Sequence, residues 1–136
     1  MSHHAATVPG STWVARWAGV LLCLAVAAIH VVDQGGLTAT RDPHYIGVAY
    51  HVLEIAAVVA AVLLIVGLVR SGWLLAVMVA VGPLLGYVLS RGPGLPDYSD
   101  DIGNWTEPLG LVSLAVEGAL LLLSLPLFMR SLRRRN

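Results

Sequence analysis

The residues of this chain that could do chemistry are histidines and carboxylates set inside or beside long apolar segments. His30 is followed three residues later by Asp33, and His51 is followed at the same spacing by Glu54. Side chains three positions apart lie on one face of a helix, so each pair would present an imidazole and a carboxylate together. Glu117 lies well inside a further apolar run. An ionisable side chain within a membrane segment is costly and marks a functional site by default.

Imidazole and carboxylate groups from facing helices are the ligands with which four-helix bundles build metal sites. We therefore predict that His30, Asp33, His51, Glu54 and Glu117 form a ligand site for a transition-metal ion or a metal-containing cofactor. The order His-x-x-Glu reverses the Glu-x-x-His of di-metal bundles, so the pattern favours the chemistry without naming the metal. Haem is a further interpretation, with His30 and His51 as axial ligands, although the sequence has no Cys-x-x-Cys-His attachment motif.

A second group of polar residues is predicted to form the mouth of this site. The group consists of His44, Asp97, Asp100, Asp101 and Glu107. The aspartates belong to the longest connection between apolar segments, where they would attract cations, but their spacing is not that of an EF-hand. This connection is therefore predicted to be the approach to the site.

Two other functions fit the same residues. Chains of Glu, His and Asp mark proton relays in transporters, which predicts a proton-linked transport or channel subunit. Polar side chains also hold membrane helices together, at about 1 kcal/mol per contact, which predicts a structural or accessory subunit. The sequence carries neither a phosphate-binding glycine loop nor a Gly-x-Ser-x-Gly nucleophile, so it assigns no enzymatic reaction.

The elements that must position these residues are four apolar segments. Of the 136 residues, 57% are hydrophobic and 12% are charged, and the mean hydropathy is +0.80. About 20 apolar residues cross a hydrocarbon core, and in lipid a single segment satisfies its own backbone only as a helix. We predict an all-α polytopic membrane protein, an antiparallel bundle with transmembrane helices at about 13–32, 43–69, 73–89 and 108–129. Residues 1–12 would form a flexible cytoplasmic tail and residues 130–136 a basic one.

The orientation follows from the basic residues, all eight of which are arginine. One side of the predicted bundle holds six of them, namely Arg16, Arg70, Arg130, Arg133, Arg134 and Arg135. The other side holds Arg41 and Arg91. The positive-inside rule then places both termini in the cytoplasm and the protein in the cytoplasmic membrane. A cleaved signal peptide is the competing interpretation of the first segment, which is long for that role.

Local signals mark several helix ends. Gly35 and Gly36 are typical of a helix C-terminus. Asp42 and Glu107 each precede a proline, which predicts an acidic N-cap with proline at the first helical position.

Partners are predicted from surface patterns. The four apolar segments require a lipid bilayer. Gly82, Gly86 and Ser90 recur every four residues, a small-xxx-small pattern that favours a homo-oligomer or a larger membrane complex. The terminal arginines are typical of a membrane anchor that contacts anionic lipid, and no nucleic-acid partner is expected.

The last third of the chain contains Arg91-Gly-Pro-Gly-Leu-Pro, then Asp101-Ile-Gly-Asn-Trp-Thr-Glu-Pro-Leu-Gly and, further on, Glu117. This stretch resembles small uncharacterised four-helix integral membrane proteins of high-GC bacteria. The resemblance implies a structural class without an activity. It also implies that the long loop and the start of the fourth helix have a specific role.

Overall fold

The computed structural model describes residues 9–134. They form four helices: α1 (Pro9–Gln34), α2 (His44–Ile65), α3 (Val69–Arg91) and α4 (Pro108–Arg133). Each helix is long and apolar enough to cross a membrane. The described residues form no strand and show a single isolated bridge between Leu95 and Tyr98. The prediction of an all-α bundle of four membrane-spanning helices is confirmed.

The helices pack in a ring, in which α1 and α3 each contact both α2 and α4. Packing is close where α2 turns into α3, because glycines there admit large neighbours. A Cβ on Gly19 would lie 2.7 Å from the Trp73 ring, and one on Gly72 would lie 2.8 Å from the Leu64 side chain. Small buried residues such as Ala60 continue this core toward the middle of the bundle.

Two of the helices end in a glycine-terminated motif. Gly35 and Gly36 both have positive φ, and the Gly36 amide donates to Val31 O at 2.9 Å, so the predicted end of α1 is confirmed. At the end of α2, Gly67 has a φ of 88° and the Leu68 amide donates to Leu63 O. The break between α2 and α3 therefore falls at 66–68, before the 70–72 expected from the sequence.

Of the two predicted acidic N-caps, one is confirmed and the other is wrong. The Glu107 carboxylate accepts hydrogen bonds from the amides of Leu109 and Gly110, as the sequence predicts. At α2 the N-cap position is Pro43 and no side chain caps it, so the predicted Asp42 cap is wrong. The physical reason is that the helix begins one residue later than predicted, at His44, which leaves Asp42 outside the cap position.

The first and last helices, α1 and α4, extend into the tails predicted from the sequence. Residues 9–12 belong to α1 and residues 130–133 to α4, where basic side chains in the last turn suit the negative helix end. Residues 1–8 and 135–136 lie outside the described part of the chain.

Arg16 joins α1 to the end of α2. Its guanidinium donates to Leu64 O, at 3.0 and 2.7 Å, and to Ile65 O at 3.1 Å. These carbonyls belong to the last turn of α2, where they have no partner within the helix. A cation is also favourable at this end of the helix dipole. Arg16 therefore ties α1 to the closely packed end of α2.

Candidate functional site

A cavity of about 670 Å³ lies between α2 and α3, beneath the connections 35–43 and 92–107. We call this the loop end of the bundle. The volume falls within the roughly 300–1,000 Å³ range of small-molecule pockets. Its deeper wall is apolar and includes Leu53, Ala56, Leu75, Met78, Val79 and Pro83. Its mouth is polar and aromatic and includes Asp33, Arg41, Tyr45, Tyr50, Tyr87, Arg91, Tyr98, Asp101 and Glu107.

Missing side chains create much of this space. Gly82 and Gly86 line the cavity from α3, and a Cβ at either position would meet nothing within 4 Å. Together with Ser90 they form the small-xxx-small stripe of the sequence, and all three residues line the cavity. The stripe therefore faces the cavity at the loop end and does not form a close contact with α2 there.

The cavity also has a side opening between α2 and α3. Val52 and Met78 line the cavity and are 60% and 59% exposed, and Gly82 beside them is exposed as well. These residues lie within membrane-spanning helices. The side opening therefore lies midway along two helices that are long and apolar enough to cross a membrane.

A continuous set of polar contacts crosses the mouth, and we call its six residues the mouth network. Its members are Asp33, Arg41, Tyr98, Asp101, Arg91 and Glu107. The network joins the end of α1, both loops, the end of α3 and the start of α4. It therefore ties α1, α3 and α4 together at the loop end, and Tyr50 of α2 joins it through a hydrogen bond to Asp33.

Arg41 forms the first half of the network. Its guanidinium lies 3.0 Å from Asp33 Oδ1, donates to Tyr98 Oη at 3.3 Å and stands 5.4 Å from the centre of the Tyr50 ring. The Tyr50 hydroxyl donates to Asp33 Oδ2 at 2.6 Å. Burial opposes the charge of Arg41, but Tyr50, Asp33 and Tyr98 outweigh it and raise the pKa of the guanidinium. Arg41 is thus a fixed positive charge.

Arg91 forms the second half. It stacks on the Tyr87 ring at 3.9 Å and donates to Asn104 O and to Ser90 Oγ. Its guanidinium also lies 3.9 Å from Asp101 and 3.8 Å from Glu107. Because Asn104 belongs to the long loop and Glu107 caps α4, Arg91 fastens the connection 92–107 and the start of α4 to α3.

Tyr98 connects the two halves. Its hydroxyl accepts from Arg41 and donates to Asp101 Oδ2 at 2.8 Å. Burial and this hydrogen bond to Asp101 raise the pKa of the phenol, which therefore stays protonated and keeps its donor role.

Three ionisable side chains lie buried beside the cavity, and we call them the buried trio. They are His30, Glu54 and Glu117, with 7%, 9% and 1% of their surface exposed. His30 Nε2 lies 3.8 Å from Glu117 Oε1, and Ser113 Oγ donates to the same oxygen. Glu54 comes from α2 and forms no ion pair with His30 within the described residues. Glu54 Oε1 has no hydrogen-bond partner among the described residues.

The tautomer of a neutral His30 follows from its contacts. Its Nδ1 is 2.9 Å from Val26 O, which can only accept, so Nδ1 carries the proton. Nε2 is then a hydrogen-bond acceptor on the side of Glu117. At 3.8 Å the two groups are not hydrogen-bonded.

Of the five predicted metal ligands, the structure buries three and brings two of these, His30 and Glu117, within 3.8 Å of each other. His30, Glu54 and Glu117 form the buried trio, while Asp33 is held by Arg41 and Tyr50. His51 is half-buried, its Nδ1 bonds to Gly47 O, and it does not line the cavity. Within residues 9–134, no three His, Cys, Asp or Glu side chains are arranged to hold a metal ion. The metal site stays a prediction without support from this geometry.

The haem interpretation needs both histidines to face one space. His30 lines the cavity and His51 does not, so the described arrangement offers no common pocket for two axial ligands. Haem likewise stays a prediction.

The predicted mouth is divided in a similar way. Asp101 and Glu107 line the cavity within the mouth network, whereas His44, Asp97 and Asp100 are exposed on the surface of the loop end.

Sequence reasoning missed the residues that dominate the mouth, chiefly Arg41, Arg91, Tyr50 and Tyr98. A signal was available in the two arginines that oppose the positive-inside bias. A cation on the less favoured side of a membrane protein is expected to have local partners, and the nearby carboxylates and tyrosines supply them.

Comparison with protein families, curated proteins and solved structures finds no match to this chain. The resemblance of its last third to four-helix proteins of high-GC bacteria stays a prediction. A functional assignment therefore rests on the site itself.

Proposed function

We propose that this multi-pass membrane protein binds a small amphipathic molecule of the bilayer in the cavity at the loop end, in a binding or accessory role. The observation that carries the proposal is the division of one cavity into an apolar wall and a polar, aromatic mouth. Such a pocket buries a tail and orients a head with a few polar groups. The side opening at Val52, Met78 and Gly82 gives a molecule dissolved in the membrane a route into the cavity.

Filling the cavity should abolish binding. In a Gly82→Phe variant the new ring has free space at its Cβ and would occupy the cavity that Gly82 lines. We expect native mass spectrometry of protein extracted from membranes to detect a bound small molecule on the wild type and to lose it in Gly82→Phe.

Gly118→Phe is the matched control. Gly118 also has nothing within 4 Å of a built Cβ, lies inside α4 and does not line the cavity. This variant should keep the bound molecule. Equal retention by both variants would sink the proposal, as would a wild-type protein that carries no molecule beyond the lipids that coat every variant.

A second function, proton-linked transport, is favoured by the buried trio. His30 and Glu117 lie within 3.8 Å of each other, and His30 and Ser113 reach the cavity wall. A proton exchanged between His30 and Glu117 would thus sit beside the bound molecule. Ionisable groups inside a membrane protein commonly serve proton relays. A transport role would combine this exchange with movement of the ligand or of the proton itself.

A metal ion is the third candidate, carried over from the sequence. It would use His30 Nε2 and the carboxylates of Glu54 and Glu117, after a rearrangement that closes the trio around one point. Elemental analysis of the purified protein tests it, because stoichiometric metal that disappears on His30→Ala would establish such a site.

We further propose that both termini lie in the cytoplasm of the cell and that the loop end faces outward. Among the described residues, Arg70, Arg130, Arg133 and Arg134 are exposed, whereas Arg41 and Arg91 are held in the mouth network. The exposed positive charge is therefore concentrated opposite the loop end, which the positive-inside rule places in the cytoplasm.

Thiol labelling checks this orientation. The native cysteine, Cys23, is fully buried, and Cys23→Ala gives a background without thiols. We expect a membrane-impermeant maleimide to label an added Asp100→Cys in intact cells and an added Leu132→Cys after lysis alone. The reverse pattern would invert the topology.

A homo-oligomer or a larger membrane complex stays a separate proposal. The stripe that suggested it, Gly82, Gly86 and Ser90, lines the cavity, so a partner helix and a ligand would compete for the same space. Cross-linking in membranes at several protein levels tests for the assembly.

A further inference from the structure

We infer that the molecule bound in this cavity has an uncharged, hydroxyl-bearing head and an apolar tail. The inference rests on the proposed function and assigns the chemical class of its ligand. It follows from the charges of the mouth network, from the bonds its arginines already make and from the acceptors that face the cavity.

The charge balance of the mouth disfavours an anion. Two guanidiniums face three carboxylates, because Arg41 pairs with Asp33 while Arg91 lies between Asp101 and Glu107. Bringing a phosphate or carboxylate head against such a surface adds like-charge repulsion.

Several of the arginine donors are also engaged. Arg41 donates to the backbone and side chain of Asp33 and to Tyr98, and Arg91 donates to Asn104 O and Ser90 Oγ. An anionic head would meet the remaining donors of each guanidinium only beside carboxylates that already lie within 4 Å of it. The arginines therefore serve mainly to build the mouth.

The start of α4 also disfavours an anionic head group. Backbone amides at a helix N-terminus are a natural anion site. Here the carboxylate of Glu107 accepts from the amides of Leu109 at 3.0 Å and Gly110 at 2.6 Å. Glu107 thus fills the position that a ligand phosphate would otherwise take.

What the cavity offers a ligand is hydrogen-bond acceptors. His30 lines the cavity, and its Nε2 makes no hydrogen bond within the described residues. Ser113 also lines the cavity and uses its proton on Glu117, which leaves its oxygen as an acceptor. A hydroxyl group donates to such acceptors without bringing a charge. The head is therefore expected to carry hydroxyls, with its tail along the apolar wall toward the side opening.

Tail-matched probes test the assignment directly. We would measure binding of mono-oleoylglycerol, of oleoyl lysophosphatidic acid, which adds a phosphate to it, and of methyl oleate, which has no hydroxyl. The protein would be held in lipid nanodiscs, with Gly82→Phe and Gly118→Phe beside the wild type. We expect mono-oleoylglycerol to bind at least about tenfold more tightly than either of the others, a difference of about 1.4 kcal/mol.

The outcomes separate the two proposals. Tighter binding of the phosphate or of methyl oleate, blocked by Gly82→Phe, overturns the head-group class and leaves the proposed function standing. Binding that is equal in Gly82→Phe and Gly118→Phe, for every probe, overturns the proposed function itself. Binding of mono-oleoylglycerol that Gly82→Phe abolishes supports both.

A charge variant gives an independent check. Asp33→Asn removes one carboxylate from beside Arg41, whereas Asp100→Asn makes the same change on the exposed loop surface. We expect the preference for mono-oleoylglycerol over the phosphate probe to fall severalfold in Asp33→Asn and to stay unchanged in Asp100→Asn. An unchanged preference in both variants would contradict the role of the mouth charges.

Discussion

Replacing Arg91 with glutamine is expected to destabilise the protein by about 2–3 kcal/mol, since bonds to charged groups contribute about 1.5–3 kcal/mol each. The change removes the donors to Asn104 O and Ser90 Oγ and the stack on Tyr87. It also leaves Asp101 and Glu107 without their nearby cation, and a carboxylate that loses its partner in a partly buried site is costly. Equilibrium unfolding in mixed micelles measures the change in free energy of unfolding.

The matched control is Arg70→Gln, the same substitution at the other end of α3. Arg70 is exposed, and its replacement should change stability by no more than about 0.5 kcal/mol. Arg91→Lys should fall between the two, because lysine keeps the charge but loses the planar fork and the stacking surface. Hydrogen exchange should rise across residues 92–107 in Arg91→Gln alone. If Arg91→Gln is as stable as Arg70→Gln and its hydrogen exchange is unchanged, Arg91 does not hold the connection 92–107 in place.

The second large effect is the loss of an infrared signal when Glu117, the most buried member of the trio, is replaced. Glu117→Gln keeps the size of the side chain and an oxygen that accepts from Ser113, so the fold should be retained. It removes the group that we propose to exchange a proton with His30. Infrared difference spectra taken on acidification should therefore show a carboxylic-acid carbonyl band in the wild type that is lost in Glu117→Gln.

Two comparisons make the infrared result specific. Glu107→Gln changes a carboxylate that is engaged with the α4 amides, and it should leave the Glu117 band in place. His30→Asn should shift the band, because it removes the partner 3.8 Å away. A band that survives in Glu117→Gln and disappears in Glu54→Gln would move proton exchange to Glu54. A wild type without any such band would leave the trio a helix-packing role.

The sequence predicts the class of this protein because apolar length and charge placement determine which segments enter a membrane. It also predicts that Glu54 and Glu117 are inside, since both fall within apolar runs at helical spacing from other polar residues. Helix ends were less predictable. The break after α2 depends on Gly67 adopting positive φ, whereas Gly72, which the sequence marks equally well, is needed for contact with Leu64.

The site was predicted only in part because spacing along a helix does not determine which neighbour a residue meets. His51 and Glu54 share a broad face of α2, yet Glu54 is buried and His51 is half-exposed. Residues three apart differ by about 60° around the helix, enough to separate two sides of a contact. The mouth network depends on how the two loops fold over the bundle, which periodicity does not encode.

The claim that the cavity holds a specific membrane molecule is tested most directly with photoreactive methionine, incorporated in cells in place of the natural residue. Met78 lines the cavity at its side opening, whereas Met129 lies exposed near the far end of α4 and serves as an internal control. After illumination of intact membranes, the peptide containing Met78 should carry one predominant lipid adduct. The peptide containing Met129 should carry a mixture that follows bulk lipid composition. The same bulk mixture on both peptides would contradict a specific site in the cavity.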